Sequence, residues 1–376
     1  MSENKPLFCQ AHAGIRSLDP YEPGKPIADL QRELGLASII KLASNENPLG
    51  TVPAARRVLA DWQGDASRYP DGNGFALKQK LAARHDIDSS RITLGNGSND
   101  VLELVARIFL GPGRNAVFSE YSFAVYPIAT RGVNGTPRVV PALPADSDMP
   151  HGHDLQRMAA SIDSHTGVVF IASPNNPTGT WLQPDAIERF LATVPADVVV
   201  VLDEAYVEYQ DAAGRLDSRT LLERHPNLVV MRTFSKIFGM AGLRVGYALS
   251  SSTVADLLNR IRQPFNVNEI AQQCACAALD DMDFVVRSYT HNAQQRDALR
   301  AALQQRGLQC LPSQANFLTF DCAQPTTPLF DALLQEGVIV RPLASYGMPQ
   351  HLRVTIGTEE ENDIFLQALD RVLKRS

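Results

Sequence analysis

No stretch of the 376 residues is both long and uncharged enough to span a bilayer. The opening MSENKPLFCQAHAGIRSL contains no apolar run of the length a secretory signal needs, so a cytoplasmic location is expected. No Lys/Arg cluster stands out and the formal net charge is −6, which argues against the basic footprint of a nucleic-acid-binding protein. The five cysteines (Cys9, Cys274, Cys276, Cys310 and Cys322) include no CxxC pair. Such an odd, scattered set suits reduced thiols packed as small apolar side chains. His151 and His153, in HGHD, lack spaced carboxylate or thiolate partners, so no metal site is expected. Internal repeats and low-complexity tracts are also missing.

What is present is ordinary globular material, 44% apolar and 20% charged, in a chain long enough for a large unit and a smaller one. LDPYEPGKP reads as an extended arm, because proline lacks an amide donor and restricts the residue before it. Beyond it, short β-branched runs alternate with amphipathic segments, the pattern of strands joined by helical crossovers. The clearest strand candidates are GVVFIASP (167–174), DVVVVLDEAY (197–206) and NLVVMRTFSK (227–236). Their near-continuous Val/Ile content predicts burial on both faces, hence an α/β fold around a mostly parallel sheet. From Glu269 a long helix-like stretch runs to a natural stop at Gly307. QANFLTFDC, GVIVRPL and HLRVTIG then read as three short strands of a small α+β unit.

In an open parallel sheet, ligands bind beyond the carboxyl ends of the strands. The three candidate strands run respectively into Asn175 and Asn176, into Asp203 and Tyr206, and into Thr233, Ser235 and Lys236. Amide, carboxylate, phenol, hydroxyl and amine are thereby directed to one rim. Lys236 stands among Phe234, Ile237 and Phe238, an apolar setting that lowers an amine's pKa as imine chemistry requires. Arg244 follows on the same segment, and an arginine with hydroxyls is a phosphate-binding set. A second wall of such a cup comes from LGNGSNDVLELVARIFL, where Gly97, Ser98 and Asn99 offer amides at a helix N-terminus.

These residues resemble the pyridoxal-phosphate enzymes of the aspartate-aminotransferase fold. SNENP, RYPDGNG, GNGSNDVLELV, YSFAVYP, SPNNPTG, LDEAYVEY, TFSKIFGMAGLRVGY and LRVTIG all occur in that family's order, over nearly the whole chain. Within the fold family the chain looks most like the histidinol-phosphate aminotransferases. The resemblance implies pyridoxal 5′-phosphate as cofactor, carried as a Schiff base on Lys236, which also acts as the base. It implies that Asp203 pairs with the pyridinium nitrogen, that Asn176 and Tyr206 bond the ring's phenolic oxygen, and that Phe123 covers the ring, with Tyr126 as second choice. Ser98, Asn99, Thr233, Ser235 and Arg244 would hold the phosphate. Tyr69 would reach that phosphate from a neighbouring subunit, making a homodimer with shared active sites. One departure from the usual motif is SEYSF, where Glu120 and Tyr121 add a charge and a second aromatic.

For the substrate, the resemblance implies Arg353 and Arg341 as anion receptors, with Tyr21 and Asn45 completing the pocket. Two arginines suit a phosphate better than a lone carboxylate, and must also admit the distal carboxylate of glutamate. The expected reaction is transamination of L-histidinol phosphate with 2-oxoglutarate, giving imidazole-acetol phosphate and glutamate. An aromatic amino-acid aminotransferase and a threonine-phosphate decarboxylase are the alternatives. The expected division is an arm at 1–29, a large cofactor-binding unit at 46–265, and a small unit made of 30–45 and 266–376.

Overall fold

The computed structural model describes residues 5–20, 25–36 and 38–374. Among them the Val/Ile runs form a seven-stranded sheet. Its strands are β1 (Ile92–Gly95), β2 (Asn115–Ser119), β3 (Thr136–Val140), β4 (Thr166–Ala172), β5 (Val199–Asp203), β6 (Leu228–Thr233) and β7 (Gly246–Leu249). They lie in the order β1-β7-β6-β5-β4-β2-β3. From β6 to β3 every pairing is parallel, whereas β7 runs against both neighbours. Because side chains alternate along a strand, β5 sends Val200 and Leu202 into one buried cluster and Val199 and Val201 into another across the sheet. Each expected strand stops sooner than the sequence pattern suggests. The polar residues after Ala172, Asp203 and Thr233 leave the ladder and turn at the rim, which is where the functional groups collect.

A four-stranded antiparallel sheet follows, β10-β11-β9-β8, from β8 (Gln309–Cys310), β9 (Phe317–Asp321), β10 (Arg341–Pro342) and β11 (His351–Thr355). It packs Leu318, Phe320, Leu352 and Val354 against Phe365 of helix Glu359–Leu373. That helix opens with a capping box: Thr358 accepts from the Glu361 N–H while Glu361 accepts from the Thr358 N–H. GVIVRPL is two pieces rather than one strand. Val338–Ile339 pairs in parallel with Ile40–Lys41 from the N-terminal region, while Arg341–Pro342 joins the antiparallel sheet and sets Arg341 directly opposite Arg353.

The stretch after Glu269 is also corrected: it is not one helix but two, Glu269–Ala278 and Met282–Gln305. The break serves a contact, since Asp281 Oδ2 accepts the N–H of Ala54 (3.1 Å) in the first turn of helix Pro53–Asp61. Helix Glu269–Ala278, which the expected division places with the small unit, packs on helix Pro53–Asp61. It buries Ala271, Cys274, Ala275 and Ala278 in the core beside the large sheet.

Candidate active site

The carboxyl ends of β4, β5 and β6 open onto a cavity of about 210 Å³. Its floor and walls are Asn176, Asp203, Tyr206, Thr233, Ser235 and Lys236 from the rim, with Ser98, Asn99 and Phe123 from the neighbouring turns. Ala43, Ser44 and Asn45 close one side, Arg244 lines the cup end, and Arg341 and Arg353 reach in from the small sheet. The structure thus brings together thirteen of the fifteen expected site residues. Tyr21 lies outside the described residues. Tyr69 is not in this cavity: the residue is 81% exposed, and its ring stacks on Phe265 with centroids 4.5 Å apart.

Asp203 is the last residue of β5 and is buried. Its Oδ1 accepts from the Ala205 N–H (3.1 Å) and its Oδ2 from the Tyr126 hydroxyl (3.2 Å). Burial nonetheless pushes its pKa up to about 6, which is the state of a carboxylate in want of a cation. Tyr126, the second choice for a ring-covering aromatic, does not line the cavity. It is fully buried, stacks on Phe170 at 4.8 Å and serves Asp203 instead. Phe123 alone of the two faces the cavity.

Lys236 follows β6 by three residues and points its ammonium at the Ser44 carbonyl (3.2 Å) and the face of Tyr206, 5.5 Å from the ring centroid. Tyr206 in turn accepts from Asn45 Nδ2 (2.9 Å), and the Asn45 N–H donates to Thr355 Oγ1 (2.9 Å). Asn45, expected as a substrate contact, is therefore also the residue that ties the tyrosine to the end of β11. Arg353, buried on β11, donates to the Ala43 carbonyl (2.7 Å) and to Asn176 Oδ1, with its guanidinium over the Phe317 ring at 5.2 Å.

The cup around Arg244 depends on two places where only a glycine fits. Gly97 precedes helix Ser98–Phe109 with φ at 79°, and a Cβ there would come within 2.2 Å of Arg244 Nη2. Gly246, at the start of β7, lies so close that a Cβ would be 2.5 Å from the Ser98 amide nitrogen. Arg244 itself adopts a left-handed φ of 57° after the short helical turn Ala241–Leu243. The sequence contains no mark for the carbonyls of Ala43 and Ser44, which act through backbone oxygen and so through any side chain.

HGHD lies apart from this cavity. His153 is buried, accepts the Ala172 N–H (3.3 Å) and is held down to about pKa 4 by burial, while His151 meets Tyr121 and His351 edge-on. Glu120 and Tyr121, the SEYSF departure, also stay outside the cavity lining. Tyr121 contributes its carbonyl to Asn175 Nδ2 (2.6 Å) and its ring to the Leu311, Leu343 and Met348 cluster.

A lysine, an acid and an arginine-walled cup at the carboxyl rim of the large sheet, with a second small sheet supplying two more arginines, is the arrangement expected of an aminotransferase. Residues 37–369 match the model for aminotransferase class I and II, and the chain belongs to that family of pyridoxal-phosphate-dependent enzymes. The particular relatives it resembles are histidinol-phosphate aminotransferases. It is 57% identical to histidinol-phosphate aminotransferase 2 of Pseudomonas aeruginosa, over 96% of this chain and 97% of that protein. It is 53% identical to histidinol-phosphate aminotransferase 2 of Methylococcus capsulatus, over 96% of this chain and 97% of that protein. Among solved structures it superposes on histidinol-phosphate aminotransferase from Sinorhizobium meliloti in complex with pyridoxal-5′-phosphate, with a TM-score of 0.87 at 27% identity, covering 96% of this chain and 97% of that chain.

Proposed function

We propose that this enzyme transfers the amino group of L-histidinol phosphate to 2-oxoglutarate, forming imidazole-acetol phosphate and glutamate, as a step of histidine biosynthesis. The observation that carries this reading is the pair Arg341 and Arg353, set opposite each other on adjacent strands and both lining the cavity that holds Lys236. Two guanidinium groups at one mouth suit a dianionic phosphate.

The residues present fit pyridoxal 5′-phosphate. The glycine at position 97 keeps the space beside Arg244 open at a helix N-terminus, and Asp203 carries a carboxyl whose burial favours a cationic neighbour. Bound there, the group supplies an electrophilic aldehyde and an electron-accepting ring. Ser98, Asn99, Thr233, Ser235 and Arg244 bind its phosphate, and Phe123 covers the ring face. Asp203 holds a proton on the ring nitrogen, and Tyr126 keeps that carboxylate aimed. Tyr206 already accepts from Asn45, so its own proton is left to donate to the phenolic oxygen. Asn176, with its carbonyl oxygen taken by Arg353, offers its amide NH₂ to the same atom. Lys236 Nζ is the amine that would hold the cofactor's aldehyde, and it would also carry the proton at the substrate Cα.

Tyr69 supports a homodimer reading. Its exposure and its position outside its own cavity support the reading that it completes the cup of a neighbouring copy. The chain divides as an arm, a large unit carrying the cofactor, and a small unit carrying the arginines. Helix Glu269–Ala278 goes with the large unit, on the strength of its packing against helix Pro53–Asp61, so the second boundary falls beyond 265/266.

Histidinol phosphate, threonine phosphate and phenylalanine added separately to the cofactor-loaded protein test the substrate reading through the cofactor's visible absorbance. Histidinol phosphate should discharge the absorbance far faster than phenylalanine, and threonine phosphate should release no carbon dioxide. No amino transfer from histidinol phosphate would sink the reading. Lys236→Ala should cut turnover at least roughly a thousandfold while circular dichroism stays native.

A further inference from the structure

The exposed Tyr69 ring is not loose. It stacks nearly parallel on Phe265, with 18° between the planes, and Phe265 is itself 42% exposed. Phe265 takes a left-handed φ of 58°, a conformation that a bulky residue adopts only where its surroundings hold it there. Those surroundings are visible on both sides. Arg262 donates from Nη2 to the Gly72 carbonyl (2.8 Å) and from Nη1 to Asn266 Oδ1 (2.6 Å). Asn266 donates to the Leu94 carbonyl (3.1 Å) and to Asp100 Oδ2 (2.7 Å). Between these anchors the Phe265 ring is pressed outward over the Tyr69–Gly72 segment, so closely that a Cβ on Gly72 would meet the ring at 3.1 Å.

The segment carrying Tyr69 is fixed from its other side. Asp71 accepts from the N–H groups of Asn73 (2.8 Å) and Phe75 (2.6 Å), and its carbonyl accepts from Gln272 Nε2 (3.0 Å). Asp100, the far end of the chain of contacts, lies in the first turn of helix Ser98–Phe109 and also accepts the Asn96 N–H (2.9 Å). One turn therefore holds the first turn of helix Ser98–Phe109, the helix that begins with Ser98 and Asn99, through Asn266, and the exposed tyrosine through Phe265.

We propose that the turn 262–266 is a clasp that presents Tyr69 to the neighbouring subunit's phosphate cup, with Phe265 as its positioning residue. This rests on the reading that Tyr69 completes a shared site. A tyrosine without a stacking partner must give up rotamer freedom when it meets the phosphate, whereas a ring already stacked has given it up on folding. The clasp thus contributes to cofactor retention without touching the cofactor.

The test measures pyridoxal 5′-phosphate affinity by reconstitution of the full-length protein, with sedimentation to establish that each variant remains dimeric. Phe265→Ala should weaken affinity roughly three- to tenfold, the size expected for one aromatic pair. Phe265→Leu, which keeps apolar bulk but loses the flat face, should weaken it similarly, and Phe265→Tyr should restore it. Tyr69→Ala should weaken it more, and adding Phe265→Ala to Tyr69→Ala should cost nothing further. Wild-type affinity in both Phe265→Ala and Phe265→Leu, or additive losses in the double variant, would overturn the clasp. Unchanged affinity in Tyr69→Ala would instead overturn the shared-site reading beneath it.

Discussion

At the scale of single residues, Asp203 shows best what the fold does to chemistry. Its carboxyl, raised to about 6 by burial, stays protonated in the folded protein at a pH where the unfolded chain has already ionised. The cofactor-free protein should therefore lose stability on this account as pH rises from about 4 through 6, and carry the full penalty above 6. His85 and His153, held down to about 3 and about 4 by burial, act in the opposite sense, destabilising the fold as pH falls below their unfolded value. The measurement must be a difference. Thermal unfolding of cofactor-free wild type against Asp203→Asn should show the variant more stable at pH 7, by up to roughly 3 kcal/mol, with the gap closing toward pH 4. Cofactor should reverse the order at pH 7, since it brings a cation that a neutral amide in place of the Asp203 carboxylate cannot pair with. The identity of Asp203 was legible in the sequence, from its place at the end of a Val-rich run. Its tuning was not. The hydroxyl of Tyr126 reaches it across the layer between a helix and the sheet, and sequence spacing from Phe123 suggests a ring for stacking rather than a donor.

Among elements, the legible ones are those whose pattern is dictated by burial on both faces. β4, β5 and β6 fall where their Val/Ile runs stand, and the sequence-level error is only that each strand surrenders its last polar residues to the rim. Elements built by contacts between distant segments were not legible. Ile40–Lys41 and Val338–Ile339 are two residues each and become strands only by pairing with one another. The break between helices Glu269–Ala278 and Met282–Gln305 follows from Asp281 meeting Ala54, residues 227 positions apart in the chain. The turn into helix Ser98–Phe109 makes a sharp prediction at this scale. Gly97→Ala would place a methyl group on Arg244 and force a left-handed φ on alanine. The helix should still form, but the strained backbone should cost roughly 1–3 kcal/mol and lower the melting temperature of cofactor-free protein by a few degrees. Affinity for pyridoxal 5′-phosphate, read by reconstitution, should fall at least about tenfold, equivalent to loss of one charge-assisted contact.

Over the whole molecule, the cavity belongs to three parts of the chain that converge on it. The large sheet supplies Lys236 and Asp203, the segment 43–45 supplies a wall, and the small sheet supplies the arginines. The seam is sewn by hydrogen bonds that pass from one part to another, from Asn45 to Tyr206 and to Thr355, and from Arg353 to Ala43 and Asn176. No helix among the described residues is long and apolar enough to cross a membrane. The register that faces Arg341 with Arg353 has a further consequence. Both arginines line the one cavity from adjacent strands, so an anion bound between them would tie those two strands to each other. Inorganic sulfate should then act as a folding ligand even though it cannot react. At ten to a hundred times its dissociation constant it would add about 1.4 to 2.7 kcal/mol to the cofactor-loaded enzyme. Calorimetry should register a higher unfolding midpoint in sulfate than in chloride of equal ionic strength, and Arg341→Met should lose most of that increment. Anion binding and tightening of the smaller sheet should then be one event, with the arginine wall at its firmest only while an anion is in place.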